Sequence, residues 1–236
     1  MEVHFAVAKV GKYATSESGD TLEMVERPHG GISLVLVDGQ RSGRSAKNIS
    51  NVVARKAIQL LAEGVRDGAA ARAAHDYLYA YRKGKVSATL NILSMDAVTQ
   101  TFVISRNNEA PVIIYTPEKG LFLLDEPSES IGTQRNTKPI ITELPITKGM
   151  IIVVFTDGLR HAGTLSGNPR YDPQAAVAQI VDKKICDPRC IADTLLAEAV
   201  ERDNGRPRDD ISVLVTAVSP KQGDDVRRLD AHLPLK

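Results

Sequence analysis

Three aspartates stand beside strongly apolar runs, a pattern that predicts a cation site. Asp38 and Asp157 each come just after a run of five or more mostly apolar residues, and Asp209 comes just before another. Such runs are typical of buried strands, so the carboxylates should converge at the lip of a sheet. Converging carboxylates repel one another, and a bound cation relieves that repulsion. With few His or Cys residues nearby, the expected ions are Mg²⁺ or Mn²⁺ rather than zinc.

The elements that must position these aspartates follow from the hydrophobic pattern. Strands are predicted beside the three aspartates at 31–37, 151–155 and 211–218, and elsewhere at 86–93, 101–105, 111–115, 121–124 and 140–144. Helices are predicted at 42–64, at 69–81 and after Asp187, a suitable N-cap. Since the strands from 86 to 156 follow one another through short turns, they should pair antiparallel. The sequence therefore predicts an α+β fold.

Composition limits the protein class. The 236 residues, 42% of them hydrophobic, suit one domain with a sizeable core. We predict a catalytic domain at 1–218 and a charged tail at 219–236. The 30 basic and 29 acidic side chains nearly balance, so the protein has no strong net electrostatic field. This argues against nucleic acid or a membrane as the main partner. No apolar run approaches the roughly 20 residues that span a bilayer, and no signal peptide is evident, so we expect a cytoplasmic protein. Cys186 and Cys190 have neither zinc-ribbon nor disulfide spacing.

Five motifs in a fixed order carry a family resemblance. They are SGD at 18–20, VDGQRSG at 37–43, SATLNILSMD at 87–96, FTDGL at 155–159 and DDISVLV at 209–215. With these motifs the chain resembles the metal-dependent protein phosphatases of type 2C, particularly the bacterial sporulation stage II E and stress-response Rsb branch. The resemblance spans about residues 3–218. It implies two packed antiparallel sheets flanked by helices, an α-β-β-α sandwich, which agrees with the order of elements above.

The resemblance also implies a two-metal site. Asp38 would bridge two Mn²⁺ or Mg²⁺ ions, and the backbone carbonyl of Gly39 would bind one of them. Asp20 would ligate the same ion as Gly39, while Asp157 and Asp209 would complete the other. Before the resemblance is considered, the cluster around Asp20 reads as a polar surface loop between two strands.

By the same resemblance, the activity would be hydrolysis of phosphoserine or phosphothreonine in a protein by metal-activated water. The substrate would be a bacterial partner-switching regulator, such as an anti-sigma-factor antagonist or a stress-sensing scaffold protein. Asp210 would lie behind the ligands rather than be one. Some relatives carry a histidine acid just after the Asp-Gly pair, but Gln40 occupies that position here and cannot supply a proton.

Arg41 departs from the family loop Asp-Gly-x-Gly-x-Gly, where a glycine is usual. If that position needs a positive φ or close approach to phosphate, an arginine would strain the turn and block the site, leaving a phosphatase-like binding module. Alternatively, its guanidinium binds the substrate phosphate. A third interpretation places Arg41, with Arg44 and Lys47, in a solvated basic helix start. A haloacid dehalogenase reading fails because neither residue two places from Asp38 is an acid.

Two features near Asp157 can be explained without a role in function. His161 stands alone in a polar stretch, and such a histidine is more often neither ligand nor acid. The loop at 163–172 is either a flap that selects substrate or a plain connection.

Overall fold

The predicted strands and helices form in the computed structural model, which describes residues 1–234. Within this range the chain has ten strands and five helices. The strands are β1 Glu2–Val10, β2 Asp20–Glu26, β3 Ile32–Gly39, β4 Ala88–Asp96, β5 Thr101–Asn107, β6 Val112–Thr116, β7 Gly120–Leu124, β8 Ile140–Pro145, β9 Ile151–Phe155 and β10 Ile211–Ser219. The helices are α1 Gly43–Ala62, α2 Asp67–Arg82, α3 Asp157–His161, α4 Pro173–Asp182 and α5 Pro188–Arg202.

The strands form two five-stranded sheets in which the pairing is antiparallel. Sheet A has the order β1-β10-β9-β6-β7, and sheet B has the order β2-β3-β4-β5-β8. Hairpins join β2 to β3, β4 to β5 and β6 to β7. The links are short, and residues with positive φ reverse the chain, such as Gly30 before β3 and Gly120 at the start of β7. The prediction of two packed antiparallel sheets with flanking helices is confirmed.

Three apolar layers hold the sandwich together. Helices α1 and α2 pack on sheet B, the two sheets pack on each other, and α4 and α5 pack on sheet A. On α1 the buried side chains Ala46, Val53 and Ala57 recur at helical spacing. Asp187 caps α5 as predicted, since its carboxylate accepts a hydrogen bond from the Cys190 amide at 3.1 Å. The order of layers is therefore helix, sheet, sheet, helix.

Three elements escaped the sequence reading. The sequence pattern does not predict strand β2. Only Leu22 and Met24 alternate with its polar residues, and this alternation is too short to indicate a strand. Helix α3 is a single turn just after β9, and α4 follows the loop at 163–172 in a stretch for which no element is predicted. The α4 start has a readable signal in retrospect: Asp172 accepts hydrogen bonds from the Gln174 and Ala175 amides, and Pro173 follows it.

Beyond β10, residues 220–234 form neither helix nor strand and are exposed. Arg227 nevertheless contacts the β2–β3 hairpin, with its guanidinium 3.3 Å from the Glu26 carboxylate and 3.2 Å from the Gly30 carbonyl. No helix among residues 1–234 has the length and apolar character that crossing a bilayer requires.

Candidate metal centre

The four predicted aspartates come from both sheets and meet at one end of the sandwich. Asp20 and Asp38 are cross-strand partners in sheet B. Asp157 begins α3 after β9. Asp209 lies two residues before β10, the strand that pairs with β9 in sheet A. Asp38, Asp157 and Asp209 line a cleft of about 380 Å³, whose other walls are Lys12, Gly39, Gln40, Arg41, Ser42, Ser87, Ala88, Thr89 and Ser130. The fold thus brings residues from distant parts of the chain into one acidic site.

Repulsion among these carboxylates is the main electrostatic feature of the cleft. Burial, the largest cause, raises the pKa of Asp38 to about 10, and repulsion from the three neighbouring aspartates adds to the shift. Burial, and then the charge of Asp157, also raises the pKa of Asp209. Without a cation, the cluster therefore retains protons at neutral pH.

Asp20 lies beneath the cleft rather than on its surface, and it is fully buried at the start of β2. The interpretation of this residue as part of a surface loop was wrong. Its Oδ2 atom accepts hydrogen bonds from Ser212 Oγ at 2.6 Å and from Thr156 Oγ1 at 3.0 Å. Its Oδ1 atom is buried with no hydrogen-bond partner among the described residues. Burial raises the pKa of Asp20 to about 6.

The donor set fits a hard divalent cation. Carboxylate oxygens without nearby thiols or imidazoles are the ligands that Mg²⁺ and Mn²⁺ prefer, and the unpartnered oxygen of Asp20 lacks the compensation that buried polar atoms normally have. No three Asp, Glu, His or Cys side chains within residues 1–234 are yet grouped closely around one point. Binding an ion would therefore need small movements of the carboxylates toward it.

The glycines of both Asp-Gly pairs allow backbones to approach the site closely. A Cβ atom on Gly39 would lie 2.1 Å from the Ala46 carbonyl oxygen in α1. A Cβ on Gly158 would lie 2.1 Å from the Asp210 carbonyl oxygen. No side chain fits at either position, so these two glycines set where Asp38 and Asp157 can stand.

Asp210 organises the loop that leads to Asp20. Its buried carboxylate accepts hydrogen bonds from the backbone amides of Gly19 at 2.8 Å and Lys12 at 2.9 Å. Two ammonium groups then secure Asp20 itself, since Lys9 Nζ and Lys47 Nζ donate to its backbone carbonyl at 2.6 and 2.7 Å. This geometry gives Asp210 a positioning task behind the ligand candidates.

Arg41 has a left-handed backbone, with φ at +78°, which is the conformation that a glycine would adopt without strain. Its side chain is exposed and lines the cleft. The adjacent Gln40 uses its side-chain oxygen to accept a hydrogen bond from the Ser87 amide at 3.2 Å. Arg41 therefore has a strained backbone and a side chain in the same cleft as the aspartates.

The region after Asp157 is anchored by a residue that sequence reasoning missed. Buried Asp203 accepts hydrogen bonds from the amides of Gly163 and Arg208, at 2.9 and 2.8 Å, and from Ser166 Oγ at 2.9 Å. The loop at 163–172 is thereby tied to the segment that carries Asp209. His161 stays half-exposed, with Nδ1 3.7 Å from Asp157 Oδ2.

Several other residues at the site were also missed. Ser212 and Thr156 hold Asp20, Lys9 and Lys47 contact its carbonyl, and Lys12 lines the cleft. One signal was available for Ser212: a serine inside the apolar run 211–218 occupies an inward position, where a polar group needs a partner. Lys9 and Lys47 had no such signal, because a long side chain in an amphipathic element usually reaches solvent.

Comparison with solved structures identifies the fold. The phosphatase domain of SpoIIE from Bacillus subtilis, with a fragment of its regulatory domain, is similar with a TM-score of 0.80 and 18% identity, covering 94% of this chain and 64% of that chain. RsbX in complex with magnesium gives 0.69 and 17%, covering 92% and 96%. The catalytic domain of PstP with two manganese ions gives 0.68 and 15%, covering 92% and 99%.

Sequence comparison adds the family. No sequence among the curated proteins matches this chain significantly. The family model described as Stage II sporulation protein E (SpoIIE) matches residues 28–219, which include all three cleft aspartates but not the buried Asp20. That match covers most of the chain, and the solved structures agree with it in fold. The chain therefore belongs to the SpoIIE family and has the fold of the type 2C protein phosphatases.

Proposed function

We propose that this protein is a metal-dependent phosphatase that hydrolyses phosphoserine or phosphothreonine in a protein substrate. The observation that carries the proposal is the convergence of Asp38, Asp157 and Asp209 on one open cleft, with Asp20 buried behind it. Family membership supports the same reaction, as does the donor chemistry of the cluster.

The residues that would hold two Mn²⁺ or Mg²⁺ ions are divided between the sheets. Asp38 would contact both ions, Gly39 and Asp20 would complete one site, and Asp157 and Asp209 the other. When bound, the two cations supply an activated water and offset the charge of the phosphoryl oxygens.

The chain's own cleft residues have tasks that follow from their chemistry. Lys12 and Arg41 place positive charge on the cleft wall, where a phosphate group would enter. Ser42 and Ser130 offer hydroxyl donors on the same surface. Gln40 cannot donate a proton to the leaving oxygen, and its side chain is engaged with the Ser87 amide. Because the cleft is open, the leaving-group proton is taken from solvent water.

As substrate we propose a phosphorylated regulator of a bacterial partner-switching pathway, either an anti-sigma-factor antagonist or a stress-sensing scaffold protein. Membership of the SpoIIE family and structural similarity to RsbX support this choice. The competing hypothesis, a binding module blocked by Arg41, gains nothing from the exposed position of that side chain.

The test is release of phosphate from a phosphothreonine peptide with and without Mn²⁺. We expect hydrolysis that depends on Mn²⁺, stops with excess chelator and falls by several orders of magnitude in Asp38→Asn. The matched control is Asp76→Asn, the same change on the exposed side of α2, which should retain full activity. Undiminished activity in excess chelator would refute the proposal.

A further inference from the structure

One wall of the metal cleft is formed by two adjacent segments, residues 84–89 and 130–135, which a single β-bridge joins and which are called here the wall ribbon. Ala88 and Ile131 exchange both backbone hydrogen bonds, at 3.1 and 2.9 Å. The cleft end of the ribbon includes Ser130, which lines the cleft. The other end carries the exposed residues Lys85, Gln134 and Arg135, so the ribbon joins the metal cleft to exposed surface.

The charged residues of the wall ribbon are all basic. Segments 82–95 and 130–142 contain no Asp or Glu, although the whole chain has nearly equal numbers of acids and bases. Their five cationic residues are Arg82, Lys83, Lys85, Arg135 and Lys138. Arg82 packs over the Tyr81 ring, 4.8 Å from its centroid, and the other four are exposed. The ribbon therefore has an excess of positive charge beside an acidic cleft, and the nearest acid in sequence is the exposed Glu129, next to Ser130.

The outer end of the ribbon is structurally fixed. Arg135 Nε donates a hydrogen bond to Tyr79 Oη at 3.2 Å, and the Gly84 amide donates to the Tyr79 carbonyl at 3.0 Å. The Lys85 amide donates to the Arg82 carbonyl at 3.1 Å. Tyr79 thus holds the Arg135 side chain next to the turn that carries Lys85.

We propose that the wall ribbon recognises acidic residues next to the phosphorylated residue of the protein substrate, an inference that rests on the proposed phosphatase function. Lys85 lies two residues from Ser87 in the cleft wall, which is about 7 Å of extended chain. An extended substrate peptide covers that distance in two residues. Carboxylates two or three positions from the phosphorylated residue therefore meet Lys85 and Arg135.

The aspartates that line the cleft favour a peptide over a nucleic acid as the ligand of the ribbon. A continuous phosphate backbone lying along the ribbon would carry negative charge across the aspartate cluster. A peptide has one phosphate, which enters the cleft, and places its remaining negative charge on the ribbon. The charge pattern of the protein matches the peptide.

The experiment compares two phosphothreonine peptides that differ only in having Asp or Asn at the second and third positions on both sides. With Mn²⁺ and low salt, we expect kcat/KM to favour the Asp peptide by about three- to tenfold, the size that exposed ion pairs provide. The preference should lie mainly in KM and shrink at high salt. In Lys85→Glu/Arg135→Glu the Asp-to-Asn ratio should fall to one or below.

The matched control is Lys119→Glu/Lys148→Glu, which changes the charge equally in two exposed turns at the far end of sheet A. It should keep the wild-type ratio. Equal kcat/KM values for the two peptides in the wild-type protein would overturn the inference, while Mn²⁺-dependent hydrolysis of p-nitrophenyl phosphate would leave the proposed function standing.

A binding measurement keeps the two proposals separate if hydrolysis fails. Fluorescence anisotropy of the labelled peptides with Asp38→Asn should show the same Asp preference without turnover. If neither peptide nor p-nitrophenyl phosphate is hydrolysed, the proposed function fails, and the anisotropy ratio alone decides the inference. Tighter binding of a single-stranded oligonucleotide than of the Asp peptide would also overturn it.

Discussion

Asp20 and Asp38 lie directly opposite each other across the β2–β3 pair, at the end of sheet B where the cleft opens. Like charges in such cross-strand positions destabilise a sheet. Burial raises the pKa of both groups, and the charge of Asp20 raises the pKa of Asp38 further. Carboxylates held together in this way can bind cations, but they lower the stability of the metal-free protein.

Removing one of these charges should stabilise the metal-free protein. At pH 8, Asp38→Asn is expected to raise the free energy of unfolding by about 0.5–2 kcal/mol, because the amide needs no proton and repels no neighbour. Urea denaturation of metal-free protein measures the difference. Asp76→Asn, on the exposed face of α2, should change it little. A destabilised Asp38→Asn protein would contradict the repulsion described here.

Metal-free stability should decrease as pH rises. In the unfolded chain Asp carboxyls titrate near pH 4, whereas the folded pKa is about 6 for Asp20 and about 10 for Asp38. The folded state thus binds more protons above pH 4, and its stability falls with increasing pH through this window. Urea denaturation at pH 5, 6, 7 and 8 tests this. The slope should shrink in Asp38→Asn, and a flat wild-type profile would rule out the interpretation.

Ser212→Ala tests whether Asp20 serves the metal site. This change removes the 2.6 Å hydrogen bond that orients the Asp20 carboxylate, and metal affinity should weaken by about 10- to 100-fold, as for other groups that orient ligands. Titration calorimetry with Mn²⁺ measures it. Ser105→Ala is a fair control because the buried Ser105 hydroxyl has no partner within the described residues. Equal affinities would remove Asp20 from the ligand set.

Gly39→Ala should damage the site through backbone displacement. The added Cβ would lie 2.1 Å from the Ala46 carbonyl oxygen, so either β3 or α1 must shift. We expect a loss of about 1–3 kcal/mol in unfolding free energy together with weaker Mn²⁺ binding. Gly11→Ala provides the comparison, since its nearest contact would be an ordinary 3.6 Å. Thermal unfolding with and without Mn²⁺ separates the two variants.

Arg41→Gly distinguishes phosphate binding by this residue from blockage of the cleft, and unchanged kinetics would identify a solvated part of the helix start. Relief of the left-handed backbone should stabilise the protein by about 0.5–1 kcal/mol, net of the entropy of glycine. If Arg41 binds the substrate phosphate, KM for a phosphothreonine peptide rises about three- to tenfold with kcat nearly unchanged. If Arg41 blocks the cleft, activity appears or increases instead. Steady-state kinetics and urea denaturation give both readouts.

Much of this architecture could be predicted because it depends on local pattern. The runs before Asp38 and Asp157 are apolar enough to specify buried strands, and the spacing of Ala46, Val53 and Ala57 specifies the buried face of α1. Motif order then suggested which acids meet. Strand β2 could not be predicted because its seven residues alternate only weakly between apolar and polar, and its place in the sheet depends on pairing with β3.

The environment of Asp20 was beyond sequence reasoning for the same reason. Its partners Thr156 and Ser212 are 136 and 192 residues away along the chain. Nothing local distinguishes Asp203 either, whose three hydrogen bonds are made by residues on both sides of α5. Such contacts depend on how the two sheets stack, which no single element encodes.

Because Asp38 lies in sheet B while Asp157 and Asp209 adjoin strands of sheet A, an ion held by these three would act as a cross-link between the layers of the sandwich. That site is incomplete in either sheet alone, so its loading with a cation depends on tertiary assembly. A chain that acquires its ions late would expose the interface between the sheets for longer. Metal supply would then govern the survival of the newly made chain against proteases, before any substrate is present.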